Sequence, residues 1–117
     1  MFPSFPFAVL FTDDSERPYQ LIAKFDDPEL ASYKALFDRY SLSDYRVSLV
    51  DTTILIVKKQ ASSLLDYLEF DEEGYWLDMS IEHEPVLPLF ISAVCPIFQD
   101  LILLETYVRQ VADEHKV

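Results

Sequence analysis

Few side chains in this sequence are equipped for covalent or metal chemistry. Cys95 is the only cysteine, and His83 and His115 are the only histidines. A nucleophilic triad needs a Ser or Cys held beside a His. Cys95 lies in the most apolar stretch, directly before Pro96, and reads as core filler. His115 stands two residues from the end of the chain and is expected to fray. His83 sits between Glu82 and Glu84, which reads as an ion-pairing surface position. Zinc needs three or four suitably spaced ligands, and no spaced Cys or His pair exists. Asp71, Glu72, Glu73 and Asp78 gather oxygen ligands near one turn, but without the EF-hand spacing. Paired carboxylates also serve glycosidases, which need a sugar-sized cleft that a core this small rarely supports. Gly74 is the only glycine. The phosphate loops GxGxxG and GxxxxGK[ST], and the GxSxG elbow, are therefore excluded. The expectation is a protein that is not an enzyme, with no cofactor and no metal.

What remains is charge. The 117 residues carry 21 Asp+Glu against 9 Lys+Arg, a net charge of -12. Half of them are apolar and 15% are aromatic, too hydrophobic for an acidic disordered tail. Nucleic acid is excluded as a partner, because phosphate contacts need clustered Lys and Arg. An anionic membrane surface is excluded on the same ground. The charge is also uneven. Residues 1–59 hold 9 acids and 7 bases; residues 60–117 hold 12 acids and 2 bases. No base occurs between Lys59 and Arg109, and residues 66–84 hold eight carboxylates. Such a segment reads as a surface for a cationic partner, since solubility alone does not require removing every base.

The elements that must carry this segment follow from periodicity. Residues 7–11 and 19–25 read as a hairpin around a polar turn. Asp27 caps a helix that Pro28 and Glu29 open, running to about Tyr40. Thr52, Thr53, Ile54 and Val57 have strand propensity. However, Ile54, Val57, Ala61, Leu64 and Leu68 recur at helical steps, which predicts a helix over 52–66 capped by Asp51. Residues 45–49 read as a short strand or extended link. Residues 67–70 and 75–82 predict a second hairpin around Asp71, Glu72, Glu73 and Gly74. Its alternation places Tyr75, Leu77, Met79 and Ile81 on one face, and Trp76, Asp78, Ser80 and Glu82 on the other. If the first set is buried, Trp76 stands exposed among carboxylates.

Residues 85–98 are apolar nearly all round and predict a buried helix, with Pro88 in its first turn and Pro96 kinking or ending it. Asp100 starts a last helix, with Leu104, Val108 and Val111 inward. The apolar run over 86–104 is interrupted by Pro88, Pro96, Gln99 and Asp100, so two core helices are expected and not a membrane span. The N-terminal residues lack the basic region of a secretory signal, and the expected location is the cytoplasm. The fold class predicted is a single α+β domain over 1–117: two antiparallel hairpins forming one sheet, packed against about four helices.

The order hairpin, helix, helix, hairpin, two helices resembles a family of small bacterial immunity proteins of polymorphic and contact-dependent toxin systems. The residues that carry the resemblance are Pro6-Phe7 opening the first strand, YKALF over 33–37, and LEFDEEG over 68–74, which is similar to that family's phenylalanine-aspartate-x-glutamate hairpin. The resemblance implies a cognate toxin with a basic surface, most simply a nuclease, as partner. Glu69, Asp71, Glu72, Glu73, Tyr75, Trp76, Asp78 and Glu82 are the partner-binding candidates. Their carboxylates would steer association and pair with Arg and Lys, and the aromatic rings would anchor. Two other classes stay open. A DNA mimic would carry acids on both halves, against the near-neutral first half. A non-catalytic adaptor would dimerise through apolar faces; monomer and homodimer are both compatible with the sequence.

Overall fold

The computed structural model describes residues 3–115. Four strands form one antiparallel sheet in the order β1-β2-β4-β3. They are β1 (Ala8–Phe11), β2 (Tyr19–Lys24), β3 (Leu68–Glu73) and β4 (Trp76–Ile81). The helices are α1 (Ala31–Tyr40), α2 (Leu49–Ala61), α3 (Val86–Ala93), the single turn α4 (Cys95–Phe98) and α5 (Leu101–His115). The result is the α+β architecture expected, with two hairpins merged into one sheet and four helices of two turns or more.

Local chemistry explains most boundaries. Asp27 accepts from the Glu29 amide (2.9 Å) and starts a 3-10 turn over Pro28–Leu30 that leads into α1. Asp100 accepts from Ile102 and Leu103 at the start of α5. The second hairpin closes on Gly74 and Tyr75 between the paired residues Glu73 and Trp76. Gly74 has φ +60 and no other described residue has positive φ. A two-residue hairpin needs positive φ at its first central position, so the sole glycine is spent on this turn.

One side of the sheet packs against the helices. Leu21, Ala23, Leu77, Met79 and Ile81 are at most 1% exposed. Beneath them runs a line of rings. Phe7 meets Phe90 and Phe98 edge-on, and Phe25 meets Tyr33, Phe37 and Phe98. Tyr33 donates to the Phe98 carbonyl (2.7 Å), and burial pushes its phenol up to about 12. No buried side-chain polar atom lacks a partner among the described residues.

Several expectations need correction. Helix α2 begins at Leu49, three residues before Thr52, and its cap is Ser48, which accepts from the Asp51 amide (3.0 Å); Asp51 is not the cap. It ends at Ala61, and a 3-10 helix over Ser62–Tyr67 completes the stretch. Of the two readings for residues 45–49, the strand fails and the link holds up to Ser48, with Leu49 already in α2; Tyr45 makes only an isolated bridge to Leu42. Tyr67 belongs to the 3-10 helix, so β3 starts at Leu68; Asp71, Glu72 and Glu73 lie in β3 and not in the turn, which is Gly74 and Tyr75, so Tyr75 is not in β4 with Leu77, Met79 and Ile81. Residues 85–98 are not buried all round. The helix breaks at Val94, Pro96 lies in the first turn of α4, and Leu89 is 53% exposed. His115 stacks on Tyr45 with ring centroids 3.5 Å apart, so it is not frayed. His83 stacks on Tyr67 (5.8 Å), and among the described residues no ion pair forms there. Cys95 is fully buried as expected, and burial pushes its thiol up to about 12. No single described helix is long and apolar enough to cross a membrane; α3–α4 and α5 meet at a 90° bend.

Candidate partner-binding face

The other side of the sheet carries no helix layer. Strand register defines its rows. One row runs Lys24, Trp76, Glu73. The next runs Ala8, Ile22, Asp78, Asp71. The third runs Leu10, Gln20, Ser80, Glu69. Acids therefore collect on the β4–β3 half of the face, and apolar side chains on the β1–β2 half.

Trp76 is the aromatic ring on this face and is 46% exposed. Its indole Nε1 donates to Asp26 Oδ1 (2.8 Å), and Lys24 Nζ lies 4.4 Å from the ring centroid. A hydrogen bond and a cation–π contact thus hold one rotamer of an exposed ring. Asp78 accepts both hydrogen-bond contacts from Gln20 Nε2 (2.9 and 2.8 Å). Directly across β3 stands Asp71. Facing residues of this kind hold their Cα atoms about 5.5 Å apart when they exchange ladder bonds. Like charges so placed repel. Glu69 pairs with Arg17 (2.6 Å), which reaches over from the β1–β2 turn. Asp71, Glu73 and Glu82 form no ion pair or hydrogen bond through their carboxylates among the described residues.

Two candidates lie elsewhere. Glu72 points to the helix side of β3, the same side as Leu68 and Phe70. Its carboxylate accepts from Ser48 Oγ, the Leu49 amide (3.0 Å) and the Val50 amide (3.3 Å). It is therefore a capping group for α2 and is half-buried. Tyr75 stands at the hairpin turn with Lys34 and Arg46 against its ring at 4.7 and 4.5 Å. Its hydroxyl donates to Asp38. That bond, ahead of burial, raises the Tyr75 phenol, and it is the leading cause of the lowered Asp38 carboxyl. Glu82 follows the end of β4, exposed, with its amide on the Tyr67 carbonyl (2.9 Å).

Gln20, Lys24, Asp26 and Arg17 complete the face and are not predicted by local patterning. They reach it only because β2 lies beside β4, a pairing between segments some 57 residues apart in sequence. Two hollows lie outside the acidic patch. One, about 450 Å³, lies between α2 and α5 near Tyr45 and His115. The other, about 680 Å³, lies along β1 between Phe5, Leu10 and Ile22. Among the described residues no group of three or more His, Cys, Asp or Glu has metal-binding geometry. The chain is thus an α+β domain with an open, half-acidic sheet face. No protein-family model, curated protein or solved structure matches it.

Proposed function

We propose that this protein binds a cationic protein through the β4–β3 half of its open sheet face and neutralises it, as an immunity protein neutralises a toxin domain. The observation that carries the reading is Trp76. It is a half-exposed tryptophan locked by Asp26 and Lys24 and bordered by the unpaired carboxylates of Glu73 and Asp71. A pre-set aromatic anchor avoids the ordering cost of docking. Surrounding carboxylates speed encounter with a basic surface and can pair with Arg or Lys once docked. The DNA-mimic alternative is less favoured, because the acids cover half of one face and the β1 side is apolar.

The test is capture from a lysate of the source organism at low ionic strength. The wild type, Trp76→Ala and the double variant Asp71→Lys/Glu73→Lys serve as baits. The expected result is a basic protein held by the wild type, released by salt, and lost from both variants. Its purified form should associate with the double variant at least tenfold more slowly and with a flatter salt dependence. Capture of only acidic proteins, or equal capture by all three baits, overturns the reading.

A further inference from the structure

Both edges of the sheet are open to pairing, and they differ in charge. Register fixes which backbone groups face outward. The Thr12 amide bonds to the Pro18 carbonyl and the Phe25 amide to the Tyr75 carbonyl (both 2.9 Å). In an antiparallel ladder, bonded and non-bonded pairs alternate. Ala8 and Leu10 therefore bond to β2, and Val9 and Phe11 turn their N–H and C=O groups to the free edge. Among the described residues no further strand pairs with β1. At the opposite edge, β3 carries four carboxylates in six residues. Natural sheets protect free edges with charge, and β3 is protected in this way. β1 is not: residues 3–11 contain no charged side chain, Leu10 is 45% exposed and Phe11 81%.

We infer that a second copy of this chain pairs with β1, antiparallel about a twofold axis at Leu10, to make one eight-stranded sheet. That register uses all the outward groups. Val9 of each copy exchanges hydrogen bonds with Phe11 of the other, and Leu10 faces Leu10 across the axis. Val against Phe is a favourable cross-strand pair, and the two leucines cover each other on the open face. Charge selects this edge. Two copies of net charge -12 repel. With strands about 4.8 Å apart, pairing at β1 keeps the two β4 strands about 24 Å apart and the two β3 strands about 34 Å apart. Both distances exceed the Debye length of about 8 Å at physiological salt. Pairing at β3 would instead bring Glu69, Asp71 and Glu73 within about 5 Å of the facing strand. The β1 contact leaves Trp76 uncovered on each copy, so it is independent of the proposed function.

Sedimentation equilibrium and amide hydrogen exchange test the pairing. The mass should rise from 13.6 kDa towards twice that value as concentration increases into tens of micromolar, and more readily at higher salt. Exchange at Val9 and Phe11 should slow at least tenfold over the same range. The Leu10 amide, bonded within the subunit, should be protected throughout. Leu10→Lys should stay at the monomer mass with an unchanged circular dichroism spectrum. If that variant fails to fold, concentration-dependent protection of the wild-type Val9 and Phe11 amides decides alone. A 13.6 kDa mass at every concentration overturns the inference. So does a dimer without protection at those amides, or one broken by Ile102→Glu on α5 and not by Leu10→Lys.

Discussion

Glu72 separates a binding role from a structural one. By sequence it is one of four carboxylates among the six residues LEFDEE, with nothing to distinguish it from Glu73. In the fold its carboxylate closes the N-terminus of α2 through Ser48 Oγ and two amides. Each hydrogen bond to a charged group contributes about 1.5–3 kcal/mol when partly buried, and a helix cap about 1 kcal/mol. The Val50 bond is long and water can replace part of the loss. Glu72→Ala should therefore cost about 2 kcal/mol, and Glu72→Gln, which keeps one acceptor oxygen, about 1 kcal/mol. An unfolding entropy of about 2.1 cal/mol/K per residue makes the first equivalent to about 8 °C in Tm. Urea titration should show the midpoint moving with the slope unchanged. The control is Glu73→Ala, whose carboxylate caps nothing and should move Tm by less than about 2 °C. A Glu72→Ala protein as stable as the wild type would refute the capping role. So would equal losses for Glu72→Ala and Glu73→Ala.

Tyr75→Phe removes the bond to Asp38. The folded Asp38 carboxyl is lowered, so its contribution is present above the unfolded value near 3.8 and is lost as pH falls through the folded value. The folded Tyr75 phenol is raised, so its contribution is present below 10.0 and is lost as pH rises through the folded value. The stability gap between wild type and variant should be about 0.5 kcal/mol after allowing for solvent screening, flat from about pH 5 to 9 and shrinking outside it. A gap constant from pH 3 to pH 11 would contradict that coupling. Asp71→Asn relieves the repulsion across to Asp78 and should raise Tm by about 1 °C, read by calorimetry; a fall would mean that the pair is not repulsive. Cys95 should resist a thiol reagent at pH 8 in the folded protein and react fully in denaturant, because burial holds it as a thiol. Rapid labelling of the folded protein would show that the α3–α4 break opens.

Local patterning reveals the hairpins and the Asp27 cap, because strand alternation and capping act over a few residues. The alternation pairs the exposure of Trp76 with the burial of Leu77, Met79 and Ile81, and the structure decides which set faces the core. Thr52 and Thr53 have strand propensity, but the helical recurrence of Ile54, Val57 and Ala61 prevails as expected, and both lie in α2 with their hydroxyls on the Ser48 and Leu49 carbonyls four residues back (both 2.9 Å). Those bonds satisfy two buried polar groups inside the helix and remove the reason to prefer a strand. Where tertiary bonds compete with propensity, sequence is a weaker guide. The start of α2, capped locally by Ser48, is reinforced from outside by a β3 carboxylate more than 20 residues away. Residues 85–98 read as buried all round because composition records apolarity and not which side meets a neighbour. Val86 and Phe90 of α3 face the core, and Leu89 faces outward.

The split of net charge along the chain becomes a split across the sheet. The near-neutral half contributes β1 and β2, and the acidic half contributes β3 and β4, and β2 meets β4 at the centre. The sheet thus grades from an uncharged edge at β1 to a carboxylate-rich edge at β3. Two cations of the first half cross that line: Arg17 pairs with Glu69, and Lys24 covers Trp76. They bring the net charge of the face down without touching Asp71 or Glu73. A cationic partner would then find its strongest attraction at those two residues, beside the fixed indole, and not spread over the whole acidic segment. This ordering can be checked at the level of single charges. Asp71→Asn and Glu73→Gln should each slow association with a basic partner more than Glu69→Gln does, because Glu69 is already neutralised by Arg17. If Glu69→Gln slows association as much as the other two, the steering field belongs to the segment's total charge, and the place of Trp76 at its centre loses its significance.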